Sequence, residues 1–119
     1  MAKTEPAREH SDVIWRLSGD AMRPKDAPWG FVAQNPVQRV IPPNQKVRID
    51  TGIAANVPML AFARGDQGDY VTMPLVLPAG QNLIVVIENK SPHSALVVDD
   101  REAVANLHPM IFRGTSEVD

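Results

Sequence analysis

Apolar residues in this chain fall into short runs cut by proline, glycine and Asn/Asp corners. The uninterrupted run Leu83-Ile-Val-Val-Ile87 is rich in β-branched residues, which predicts a strand covered on both faces at the centre of the fold. It sits inside Val76 to Asn89, where a short strand meets the corner Pro78-Ala79-Gly80 before the apolar run begins. Lys46-Val-Arg-Ile-Asp50 alternates polar and apolar, which predicts a strand with one wet face. Further short strands are predicted at Val13 to Leu17, Val37 to Ile41, Ile53 to Val57, Met59 to Ala63, Tyr70 to Met73, Leu75 to Leu77, Ser94 to Val98 and Ala103 to Phe112. Pro42-Pro43-Asn44-Gln45, Thr51-Gly52, Arg64 to Asp69 and Asp99 to Glu102 carry the residues of turns and bends.

Eleven prolines and seven glycines leave little room for a helix after Pro24, so the fold class is all-β. Aromatic residues are few, and a core of Val, Ile, Leu, Ala and Met suits a compact sandwich or barrel. At 119 residues the chain makes one domain, divided as an N-terminal arm over 1–12, a β-domain over 13–112 and a C-terminal tail over 113–119. The polar arm has little to bury by itself and is expected to act as an assembly element. The apolar and aromatic positions beside it, Val13, Ile14, Trp15, Leu17, Trp29 and Phe31, are the candidate assembly residues.

Charge and cysteine content narrow the function. There is no cysteine, hence no disulfide framework, thiolate metal site or cysteine nucleophile. A net charge of −2 with interspersed signs gives no basic field for a phosphate backbone, so nucleic acid is not an expected partner. No run reaches membrane-spanning length and the N-terminus lacks a signal-peptide core, which predicts a soluble chain made in the cytoplasm with no membrane partner.

His10, His93 and His108 have no metal-ligand spacing, so no metal or cofactor is expected and the histidines read as structural or surface residues. Asp99-Asp100 beside Arg101 reads as a solvated charged turn. Arg64-Gly65-Asp66 matches an adhesion tripeptide and Asn89-Lys90-Ser91 a glycosylation acceptor, and loop chemistry accounts for both.

The order Trp15 to Pro24, Ala27-Pro-Trp-Gly-Phe31, Ile41-Pro-Pro-Asn-Gln-Lys-Val-Arg-Ile-Asp-Thr-Gly-Ile53, Val57-Pro58, Leu83 to Asn89 and Asp99-Asp-Arg101 resembles the trimeric dUTPase family from about residue 13 to 112. The resemblance implies a jelly-roll-like β-domain, a three-fold homotrimer and sites at subunit interfaces. The family's catalytic motifs are degenerate here. Ala27-Pro-Trp-Gly-Phe31 lacks the acid that ends the first motif, and Arg64-Gly65-Asp66 stands early and acidic against the second. Pro74 to Ala79 holds neither the water-activating aspartate nor the stacking tyrosine of the third. Asp99-Asp-Arg101 with Glu102 to Asn106 is a longer version of the fourth without its glutamine, and only Arg113-Gly-Thr-Ser116 stands for the fifth.

The expectation is therefore a non-enzymatic chain with no catalytic residues: a trimeric decoration or cement protein on a phage capsid surface, whose partners are itself and the major capsid protein or other virion subunits. The alternatives are a divergent dUTPase-like nucleotide hydrolase or nucleotide-binding regulator, and an unrelated β-sandwich adaptor of a tail or baseplate.

Overall fold

A computed structural model describes residues 13–63 and 71–110. The expected arm and tail, the Arg64 to Asp69 turn and the last two residues of the Ala103 to Phe112 segment lie outside them. The described residues form twelve strands and no helix, an all-β sandwich. Most strands are three to five residues long because a proline, glycine or turn residue follows each apolar run.

The largest sheet is five-stranded. It runs β2 (Lys25–Ala27), β3 (Gly30–Gln34), β12 (Ala103–Pro109), β7 (Met59–Ala63) and β9 (Val76–Leu77), each pair antiparallel. A three-stranded sheet runs β5 (Lys46–Asp50), β10 (Ile84–Glu88) and β8 (Val71–Thr72). Two ribbons complete the fold, β1 (Trp15–Leu17) with β6 (Ile53–Ala55) and β4 (Arg39–Ile41) with β11 (Leu96–Val98). One apolar core joins all four sheets, with Phe31, Ile41, Ile49, Ile53, Met59, Val85, Ile87 and Leu107 among its members.

Period-2 alternation decides which side chains enter that core. In β5, Ile49 is buried while Lys46, Arg48 and Asp50 face out, as the sequence pattern predicts. The run from Leu83 to Ile87 departs from the expectation of cover on both faces. Leu83, Val85 and Ile87 are buried, whereas Ile84 and Val86 are half-buried on the outer side, because no layer covers that face of the sheet among the described residues. A bulge between Ala103 and Ala105 shifts the β12 register and lets the consecutive residues Val104 and Ala105 both be buried.

Two glycines permit close passage of backbone. At Gly52, with φ of +73°, a Cβ would stand 2.3 Å from the Ser18 carbonyl oxygen. Gly30 starts β3 against β12, where a Cβ would stand 2.2 Å from the Leu107 carbonyl oxygen. The predicted bend at Thr51-Gly52 is present, held by the Thr51 hydroxyl donating to the Leu83 carbonyl at 2.7 Å and the Gly52 amide donating to Asp50 Oδ1 at 2.9 Å.

Two residues expected at an assembly edge belong instead to the core. Phe31 is fully buried, since it alternates inward with Ala33 on β3, and Trp15 packs edge-on against its ring at 4.9 Å. Val13 is buried as well and joins the same cluster.

Candidate functional site

Three regions carry the side chains that sequence reasoning singled out. The first is the corner between β9 and β10. The amide of Gly80 donates to the Ala55 carbonyl at 2.8 Å and that of Leu83 to the Ile53 carbonyl at 2.8 Å, which docks the corner along β6. Beside it lies an open groove of about 510 Å³ lined by Arg48, Met73, Pro74, Leu77, Ile84 and Val86, together with Gln81 and Asn82. Asn82 Nδ2 donates to Asp50 Oδ1 at 3.2 Å, so this carboxylate is shared between the Gly52 amide and a residue of the groove lining. The lining is mainly apolar, and Arg48 is its ionisable member. Such a groove can hold an apolar or neutral group. The groups that line it include no carboxylate positioned to activate water.

The second region is the turn after β11. Asp99 and Asp100 were expected to point into water, and both are exposed, yet the turn is pinned from several sides. Arg101 has φ of +68°, and its amide donates to the Asn35 carbonyl at 2.7 Å. Gln34 Nε2 donates to the Arg101 carbonyl at 2.9 Å, and the Asn35 amide donates to the Glu102 carbonyl at 2.8 Å. Asn35 Nδ2 donates to the carbonyls of Val98 and Asp99 at 3.2 and 2.9 Å, while Gln38 Nε2 donates to Asp99 Oδ1 at 3.0 Å. The pattern is that of a scaffolded turn. Gln34, Asn35 and Gln38 gave no signal in the sequence, because their partners lie more than sixty positions away.

The third region is apolar surface. Trp29 forms the tip of the β2–β3 hairpin and is 43% exposed. It lies over His108, ring centroids 5.1 Å apart, and the His108 ring meets Phe62 edge-on at 5.4 Å. His108 Nδ1 lies 3.1 Å from the Trp29 carbonyl oxygen, a bond in which the ring nitrogen is the donor because the carbonyl only accepts. Ile14, at 68%, and Leu17 are exposed on β1 and just before it, Leu75 and Val76 are exposed at β9, and Val40 faces Val97 across the β4–β11 ribbon. Of the six candidate assembly residues, Ile14, Leu17 and Trp29 are thus at the surface, Trp15 is half-buried and Val13 and Phe31 are inside. No group of three or more metal-ligating side chains occurs among the described residues.

No family model matches the sequence, and no curated protein does. Solved structures match the fold. The dUTPase of phage phi11 of S. aureus, an aspartate-to-asparagine mutant in which coordination of a structural Mg(II) ion was described, aligns with a TM-score of 0.63 at 16% identity, over 85% of this chain and 92% of that one. The dUTPase of Staphylococcus bacteriophage 80alpha, a tyrosine-to-isoleucine mutant from work on phage control of virulence-gene transfer, aligns with a TM-score of 0.61 at 15% identity over the same shares. The chain has a dUTPase-like fold.

Proposed function

We propose that this chain is a non-enzymatic virion protein, a dUTPase-like fold used as a homotrimeric decoration or cement module that clamps neighbouring capsid subunits. The observation that carries the reading is the make-up of the β9–β10 corner. Pro78, Ala79 and Gly80 form the turn, and Met73, Pro74, Leu77, Ile84 and Val86 line the groove beside it. These side chains cannot take a proton from water, and they offer contact area instead. The exposed apolar residues at β1, the β2–β3 tip and β9 support the same reading, since such residues gather where a protein meets another. The solved structures that share the fold are phage proteins, which supports a phage setting by analogy of fold.

The second reading is a divergent dUTPase-like hydrolase or nucleotide binder. The fold match favours it, as does a groove large enough for a base, with Arg48, Gln81 and Asn82 on its wall. One experiment separates the two. The purified protein is incubated with dUTP and magnesium, and pyrophosphate is measured alongside particle binding to capsids lacking the chain. Saturable binding at three-fold positions without pyrophosphate release supports the structural reading. Turnover lost on substituting Asp99 or Asp100 overturns it.

A further inference from the structure

Left-handed backbone in this chain falls on residues suited to it, with one exception. Gly19, Gly52 and Gly80 have φ of +62°, +73° and +82°, and Asn44, whose short amide tolerates the region, has +61°. Arg101, at +68°, is the exception among the described residues. The crowding of its Cβ against the following carbonyl oxygen is one that a glycine relieves. The main chain is nonetheless held on both sides of this residue. The Arg101 amide donates to the carbonyl of the buried Asn35, and the Arg101 carbonyl accepts from Gln34 Nε2. A strained conformation that its surroundings enforce in this way points to a use for the side chain that bears it.

That side chain is exposed, and its guanidinium makes neither an ion pair nor a hydrogen bond among the described residues. Asp99, Asp100 and Glu102 are its sequence neighbours, but two of these carboxylates serve the turn itself. Asp99 Oδ1 accepts from Gln38 Nε2 at 3.0 Å, and Glu102 Oε1 accepts from the Asp99 amide at 3.0 Å. Asp100 is exposed and, like Arg101, forms no side-chain bond among the described residues. A fixed turn thus presents one carboxylate and one guanidinium side by side to solvent.

We propose that the Asp99 to Glu102 turn is a recognition element that docks on a protein surface bearing a carboxylate beside a basic side chain. Arg101 meets the carboxylate, which its planar fork can hold by two parallel bonds. Asp100 meets the basic group, which also offsets the repulsion that the turn's acids exert on an approaching anion. For the same reason a bare polyanion is a poor fit. Because the turn is held in place before docking, little ordering entropy is lost on contact. The inference rests on the virion partner of the proposed function and specifies one contact with it, at residues that share none with the β9–β10 groove.

The test compares the full chain with Arg101→Gly, Arg101→Lys and Asp100→Asn by thermal melt, light scattering and binding to capsids lacking the chain, at low and high salt. Arg101→Gly is expected to raise Tm by about 2–4 °C, since relief of the left-handed conformation exceeds the added freedom of the unfolded chain. The same variant weakens capsid binding at least about tenfold at low salt, with its mass in solution unchanged. Arg101→Lys keeps the charge without the fork and loses less, and Asp100→Asn weakens binding and its salt dependence together. Capsid binding by Arg101→Gly equal to that of the parent overturns the inference and leaves the cement reading standing. A lower Tm assigns the side chain to the fold, and a changed mass assigns it to contacts between copies, and either overturns it too. A parent chain that does not bind capsids overturns the proposed function and this inference with it.

Discussion

Asn35 and Asn89 do the same job on opposite strands of the β4–β11 ribbon. Asn89 Nδ2 donates to the Ile41 carbonyl of β4 at 3.0 Å and to the Ser94 carbonyl at 2.7 Å. Asn35 Nδ2 donates to the Val98 carbonyl of β11 and to the Asp99 carbonyl. Both asparagines are buried. A two-stranded ribbon is marginal alone, and its free carbonyls are costly to bury without donors. The two side-chain amides supply those donors and tie the ribbon to β3 and β10.

Removing either amide should therefore be felt as much as a core truncation. Asn89→Ala leaves two carbonyls short of a donor and is expected to cost about 2–6 kcal/mol, from 1–3 kcal/mol for each unsatisfied buried group. Asn35→Ala loses the same two bonds but also removes Oδ1, which has no partner among the described residues, so its cost should be the smaller of the two. Urea unfolding of both variants measures the difference, and an Asn89→Ala midpoint equal to that of the parent would contradict the role.

The two faces of β10 can be compared with one residue type. Ile87 is buried and Ile84 is half-buried on the groove side. Ile87→Ala should destabilise by about 2–5 kcal/mol, as buried isoleucine truncations do, and Ile84→Ala by about 1 kcal/mol. Equal losses would mean that the strand is covered on both faces after all.

Two glycines with similar dihedral angles differ in surroundings. Gly52 and Gly80 both have positive φ, +73° and +82°, yet a Cβ at Gly80 meets nothing within 4 Å, while one at Gly52 runs into the Ser18 carbonyl and Ala21. Gly80→Ala should cost about 1–2 kcal/mol, the backbone penalty by itself. Gly52→Ala must add displacement of β1's C-terminal end to that penalty, and a thermal melt should show the larger drop in Tm.

Trp29 reports on His108. With His108→Ala the carbonyl of Trp29 loses its donor and the indole loses the ring beneath it. The stability cost should stay near about 1 kcal/mol, since the bond is exposed. A red shift of Trp29 emission, read in a Trp15→Phe background, is the expected signature. An unchanged spectrum would show that the hairpin tip holds its place without the histidine.

By itself the sequence determined the local layer of this protein. Proline and glycine spacing excluded helices and set strand lengths, and the alternation in Lys46 to Asp50 set one face of β5, because these effects act between neighbours a few residues apart. The bend at Gly52 and the dUTPase-like order of elements were legible for the same reason, and the fold matches them. What only the tertiary structure decided was the second side of each strand. Whether Ile84 is covered, whether Phe31 lies inside and Trp29 outside, and which amides anchor the Asp99 to Glu102 turn depend on layers and partners brought together from far along the chain. A run of apolar residues states that burial is favourable. It does not state whether a second sheet is present to provide it, and over the outer face of β10 none of the described residues form one.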